Sequence, residues 1–156
     1  RLPTDMEWRA AATGSYAGPY VNIKNELLME FADDPNPGKP GDDPTRSGWV
    51  PANSGNRDPS SPDYHPRPVG HKPANAYGIY DLNGNAFEWI WDWVTGSGYQ
   101  FGLGEENGNY RGPQHNNGKR IRHGGSWAYG PYFAGNGGHE PSLHSNDSGF
   151  CVARNL

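Results

Sequence analysis

Apolar and polar positions alternate most regularly near the middle of the chain, where Trp89, Trp91 and Trp93 are separated by Ile90 and Asp92. That period of two predicts a strand with one aromatic face inside the Asp81 to Val94 region, and a buried place for that face. Lys119 to His123 reads as a second strand, entering Gly124-Gly125-Ser126-Trp127, and Phe150 to Ala153 as a short terminal strand. Near the start, Thr4 and Glu7 have the spacing of a capping box, in which hydroxyl and carboxylate each accept the other residue's amide; a short helix follows to about Ala12 and Gly14 ends it. Between these elements the periodicity dissolves. Gly14 to about Pro68 is rich in Gly, Pro, Asp and Ser, with Tyr20 to Phe31 too sparsely periodic to assign, and Gly96 to Gly118 is a second turn-rich stretch. Loops of that length in a compact domain are functional or pinned by a ligand or metal. With no internal repeat and no linker, residues 1–156 read as one domain.

Composition explains how such a loop-rich chain can fold. It holds only 21 Leu, Ile, Val and Phe residues, but six Trp and nine Tyr. Each large ring buries roughly 150–250 Å², so aromatics replace the missing aliphatics, and Trp89, Trp91, Trp93 and Trp127 are expected to be largely buried. Gly and Pro together number 38 without a three-residue period, which excludes collagen and long-helix bundles. The formal charge of -4, with no run of Lys and Arg, removes the electrostatic footprint of nucleic-acid binding. No segment approaches the roughly 20 apolar residues of a membrane span, and no signal-peptide pattern is evident, which leaves localisation open. The single Cys151 forbids an internal disulfide and any site built from several thiolates.

The spacings allow little familiar catalysis. His139 and His144 are five apart with Pro141 between them, which excludes a metalloprotease helix, and the other histidines lack ligand spacing and are read as surface or hydrogen-bonding residues. Ser126 lacks the second glycine of a nucleophile elbow and is expected to be a structural serine where two backbones approach closely. Asp81-Leu82-Asn83-Gly84-Asn85-Ala86-Phe87-Glu88 is rich in the oxygens a hard cation requires, but it is a defective EF-hand loop. From the residues alone an ordinary Asn-Gly turn is the simpler reading.

Four segments, in order and spacing, resemble the formylglycine-generating enzyme (sulfatase-modifying factor) family: Arg1 to Trp8, Pro68 to Trp93, Arg122 to Trp127, and Gly149 to Arg154. The resemblance implies an α+β domain with the family's variant of the C-type lectin fold, of which an N-terminal portion would precede Arg1. It also implies a structural calcium held by the side chains of Asp81 and Glu88 and the carbonyls of Gly84 and Ala86, a set that supplies two charges and four oxygens. A second family calcium site is not assigned: Asn22 and Ile23 resemble part of it, but the loop near Asp63 is spaced differently. Family oxidases bind copper through two cysteines shortly after Gly-Gly-Ser. Those positions hold Tyr129 and Ala134 here, so oxidase activity is not expected.

The chain also resembles the variable proteins of diversity-generating retroelements, which share this fold and carry a C-terminal segment rewritten at template adenines. That segment corresponds to Trp127 through Phe150, and every residue between those two except Glu140 is reachable by replacing the adenines of an AAC codon. The resemblance implies a ligand-binding surface across residues 128–147, with Trp127, Ala128, Tyr129, Tyr132, Phe133 and Leu143 as apolar contacts and His144, Asn146 and Asp147 as polar ones. A protein or glycan ligand, and a virion or cell-surface location, are the corresponding expectations. A degenerate or partner-dependent enzyme and a purely structural lectin-like domain are the alternatives.

Overall fold

A computed structural model describes residues 1–13, 48–75, 77–94, 118–129 and 138–154. Helix α1 spans Asp5–Thr13, and three strands follow: β1 Phe87–Trp93, β2 Arg120–His123 and β3 Ser148–Gly149. They form one mixed sheet in the order β2-β1-β3, with β2 antiparallel and β3 parallel to β1. Two single 3₁₀ turns, Pro51–Asn53 and Gly55–Arg57, punctuate the loop before β1. Among the described residues this small sheet with one helix is the loop-rich α+β architecture expected, except that β3 runs parallel to β1 where short antiparallel strands are expected. The unassigned Tyr20 to Phe31 stretch and the second turn-rich stretch, up to residue 117, lie outside the described residues.

The helix begins as its sequence dictates. The Thr4 amide donates to Glu7 Oε2 at 2.8 Å and the Glu7 amide to Thr4 Oγ1 at 3.3 Å, completing the capping box. The Arg1 guanidinium pairs with the same carboxylate at 2.6 Å and holds it down at about 2. Tertiary contacts then dock this helix start on the sheet: the Asp5 amide donates to Asp92 Oδ2 at 2.8 Å, and the Trp91 amide to the Pro3 carbonyl at 2.8 Å. Beneath lies the apolar cluster of Trp8, Ala12, Leu82, Ile90, Val94 and Ile121.

Strand β1 forms where the alternation predicts, but its faces are reversed from the expectation. Glu88, Ile90 and Asp92 point inward with Val94 after them, whereas Trp89, Trp91 and Trp93 are half-buried on the other face; Trp127 alone of the four tryptophans is fully buried. Alternation reports a period, and says nothing of which face turns inward. The inward carboxylates are retained because donors await them: Asp92 caps α1, and Trp8 Nε1 donates to Glu88 Oε2. The outward rings are roofed by cations from β2. The Arg120 guanidinium lies 5.0 Å from the Trp91 ring and 3.9 Å from Trp93, and that of Arg122 lies 4.6 Å from Phe87 and 5.6 Å from Trp89.

The terminal strand is also displaced. Pairing with β1 falls on Ser148 and Gly149, two residues before the predicted Phe150 to Ala153. The latter segment runs beside the N-terminus, the Ala153 amide donating to the Arg1 carbonyl at 2.9 Å, with Phe150 and Val152 exposed and Cys151 turned inward.

The polar centre of the fold is Asp5. Its Oδ1 accepts Arg9 Nε and His123 Nε2, each at 2.7 Å, and the His123 ring, fully buried, stacks on Trp8 at 4.8 Å. Removing one partner of such a cluster leaves buried charge uncompensated, so Asp5→Ala should cost about 3–5 kcal/mol in chemical denaturation. Asp92 behaves oppositely. Burial pushes its carboxyl up to about 6, against the lowering pull of the Asp5 amide. The native state therefore holds this proton more tightly than the unfolded chain, a contribution fully present below about pH 4 and lost as pH rises through about 6. In melts across that range, Asp92→Asn should gain stability relative to wild type as pH rises, by on the order of 2 kcal/mol at pH 7.

Candidate functional site

Two places gather the predicted residues. The first is the turn from Asp81 to Glu88, whose shape depends on residues in the left-handed region: Asp81 (φ 56), Gly84 (φ 77) and Asn85 (φ 57). Gly84 sits where a Cβ would lie 2.3 Å from the Trp49 carbonyl oxygen, and its amide donates to the Gly124 carbonyl at 2.6 Å. The Gly-Gly-Ser segment is thus the close backbone approach expected of it. Ser126 is fully buried and its Oγ accepts the amides of Ala128 and Tyr129 at 3.3 and 3.1 Å, a structural role.

Within this turn Asp81 Oδ2 accepts the Gly70 amide at 2.6 Å, while Oδ1 is buried with no hydrogen-bond partner. Glu88 is buried nearby; desolvation raises its pKa, and the charge of Asp81 adds to that. An orphaned carboxylate oxygen on Asp81 and a desolvated carboxylate on Glu88, close enough to feel its charge, suit a hard divalent cation, which would relieve both costs. Among the described residues no group of three or more His, Cys, Asp and Glu is placed to hold a metal. A cation here would therefore rely on Asp81, Glu88 and the carbonyls of Gly84 and Ala86.

Cys151 donates to Glu88 Oε1, and burial together with that carboxylate pushes its thiol far above the usual range. Of the two positions where family oxidases carry copper-binding cysteines, Tyr129 is half-exposed with its ring 6.1 Å from Phe87, and Ala134 lies outside the described residues.

The second place is an open cleft of about 430 Å³ lined by Trp89, Leu143, His144, Ser145, Asn146 and Ser148. Three residues expected to contact a ligand, Leu143, His144 and Asn146, are brought together there and are exposed. Trp127, Ala128 and Asp147 are buried and belong to the frame, Tyr129 lies exposed on Phe87, and Tyr132 and Phe133 fall outside the described residues.

Arg122, which the sequence did not single out, organises this cleft. Its guanidinium pairs with Asp147 Oδ1 at 3.6 Å, bonds Ser148 Oγ and contacts the His139 ring at 3.2 Å. Asp147 also accepts Ser145 Oγ, and its carbonyl accepts the Phe87 amide at 2.7 Å. One buried cation thus clasps both ends of the exposed loop 140–146. The alternation of Arg120 and Arg122 in β2, opposite the alternating tryptophans of β1, was the available signal for it.

Comparison with known proteins agrees with this geometry. A family model described as "Sulfatase-modifying factor enzyme 1-like domain" matches residues 1–156. The chain is 35% identical to the chaperone protein LppX of Paenibacillus barcinonensis over 101 residues, 60% of this chain and 31% of that protein. Among solved structures, Treponema denticola variable protein 1 superposes with a TM-score of 0.60 at 26% identity, covering 96% of this chain and 45% of that one. PvdO from Pseudomonas aeruginosa superposes at 0.62 with 22% identity, which shows the shared fold; 96% of this chain and 50% of that one are covered. The chain spans about a third to a half of the length of these relatives. By the match of the family model across residues 1–156, the chain belongs to the sulfatase-modifying factor enzyme 1-like domain family.

Proposed function

We propose that this domain is a ligand-binding module, built like the variable proteins of diversity-generating retroelements, and that within residues 128–147 it binds through the exposed stretch 140–146. The observation that carries this reading is the clasp. The exposed residues 140–146 lie between half-buried His139 and buried Asp147, both held by Arg122, and residues 143–146 line the cleft. A surface arranged in this way tolerates replacement of its side chains without disturbing the core beneath. Likeness to a variable protein over 96% of the chain supports the same reading. Binding rather than oxidase chemistry also fits the lone Cys151, turned inward on Glu88, and the tyrosine at position 129.

Calcium is proposed as the structural cofactor of the Asp81 to Glu88 turn. The ion would be held by these two carboxylates and the Gly84 and Ala86 carbonyls, joining the turn to β1, with no part in chemistry. Because a cation bound only by the native state stabilises it by mass action, chelation should lower the melting temperature by several degrees and added calcium should restore it. Asp81→Ala should abolish the calcium dependence. Melting curves that ignore both treatments reject the site.

The module itself is tested by exchange. Replacing Ser142, Leu143, His144 and Asn146 together should leave the melting temperature within about 2 °C of wild type, as expected for exposed side chains. Asp147→Ala, by stranding Arg122, should cost about 3–5 kcal/mol. A retroelement origin further predicts a template repeat near the gene that differs from the coding copy almost only at adenines. Loop variants that unfold the domain, or a locus without such a repeat, count against the reading.

A further inference from the structure

We infer, resting on the binding-module reading, that the cleft over Trp89 takes a neutral glycan. The first argument is electrostatic. None of the six residues lining the cleft carries a formal charge, and residues 128–146 contain a single one, Glu140. The cation beneath is already engaged, since Arg122 pairs with Asp147 and stacks on Phe87 and Trp89. An anionic ligand entering here would be desolvated without gaining a new cation, and a cationic ligand would find the Asp147 carboxylate buried and occupied. Both are disfavoured against an uncharged ligand.

The second argument is shape and chemistry. The cleft is open rather than enclosed, so a ligand would be held by the groups on its floor and rim. Its walls are more polar than an apolar ligand would want. A pyranose presents an apolar face of C–H bonds and a rim of hydroxyls, each both donor and acceptor. The part of the Trp89 ring that Arg122 and His139 leave uncovered lines the cleft and supplies an aromatic surface for the first. Asn146 and His144, neither with a side-chain hydrogen-bond partner among the described residues, supply paired donors and acceptors for the second. The Asn146 amide holds donor and acceptor in one plane, the geometry that two adjacent hydroxyls satisfy together. Ser145 and Ser148, whose hydroxyls are oriented by Asp147 and Arg122, retain lone pairs as acceptors.

The test presents the calcium-loaded chain to one surface array. The array carries neutral di- and trisaccharides, their sulfated and sialylated counterparts, and constrained peptide loops. The expected result is binding to neutral glycans, weakened at least about tenfold by Asn146→Ala with an unchanged melting temperature and lost in Trp89→Leu. The charged counterparts should bind more weakly. Binding confined to acidic glycans, or to peptide loops with the same dependence on Asn146, overturns the neutral-glycan assignment and leaves the module standing. Absence of binding to every member of the array overturns both, and binding that ignores Asn146 and Trp89 removes the cleft as its seat.

Discussion

Three carboxylates, Asp5, Glu88 and Asp92, are buried between helix α1 and the sheet, and the rest of the fold follows from the need to satisfy them. Burying charge without partners costs several kcal/mol per group, so each acid dictates where its donors must be. Asp92 receives the helix start, Asp5 receives Arg9 and His123, and Glu88 receives Trp8 and Cys151. These bonds tie the first turn of α1 to strands that lie 80 to 118 residues away in sequence. A chain with so few aliphatic residues gains its single arrangement from such directional contacts as much as from apolar area.

The same requirement separates frame from surface. Because Glu88 and Asp92 face inward, the tryptophans of β1 face outward, and Arg120 and Arg122 cover them. Covering those rings places Arg122 where it reaches both His139 and Asp147, so the exposed loop is anchored by the roof rather than by its own side chains. Function in this reading is a by-product of core electrostatics: the inward acids put a tryptophan at the floor of the cleft, and the roof arginine consumes the charge that would otherwise face a ligand.

Local rules made part of this visible in the sequence. The capping box named the helix start because Thr4 and Glu7 satisfy each other within one turn, and the alternation of tryptophans placed β1. What alternation could not reveal was which face turned inward, since Asp5 and Trp8, the donors to Asp92 and Glu88, are more than 79 residues away. The terminal strand was displaced by two residues for a related reason: its pairing uses the backbone of Ser148 and Gly149, whose side chains carry no strand signal. Of the proposed ligand contacts, Leu143 followed from the family resemblance alone, while His144 and Asn146 were readable from polarity. Asp147 has the same polarity, and only the position of Arg122 shows that it belongs to the frame.

Native-state hydrogen exchange tests the division between frame and surface most directly. The account predicts that the amides of Asp5, Phe87, Trp91 and Val94, bonded to Asp92, Asp147, Pro3 and Lys119, exchange only through global unfolding, while those of His144 to Asn146 exchange orders of magnitude faster. Protection of the 140–146 loop equal to that of β1 would contradict it, because the loop would then be part of the core rather than a surface carried by it.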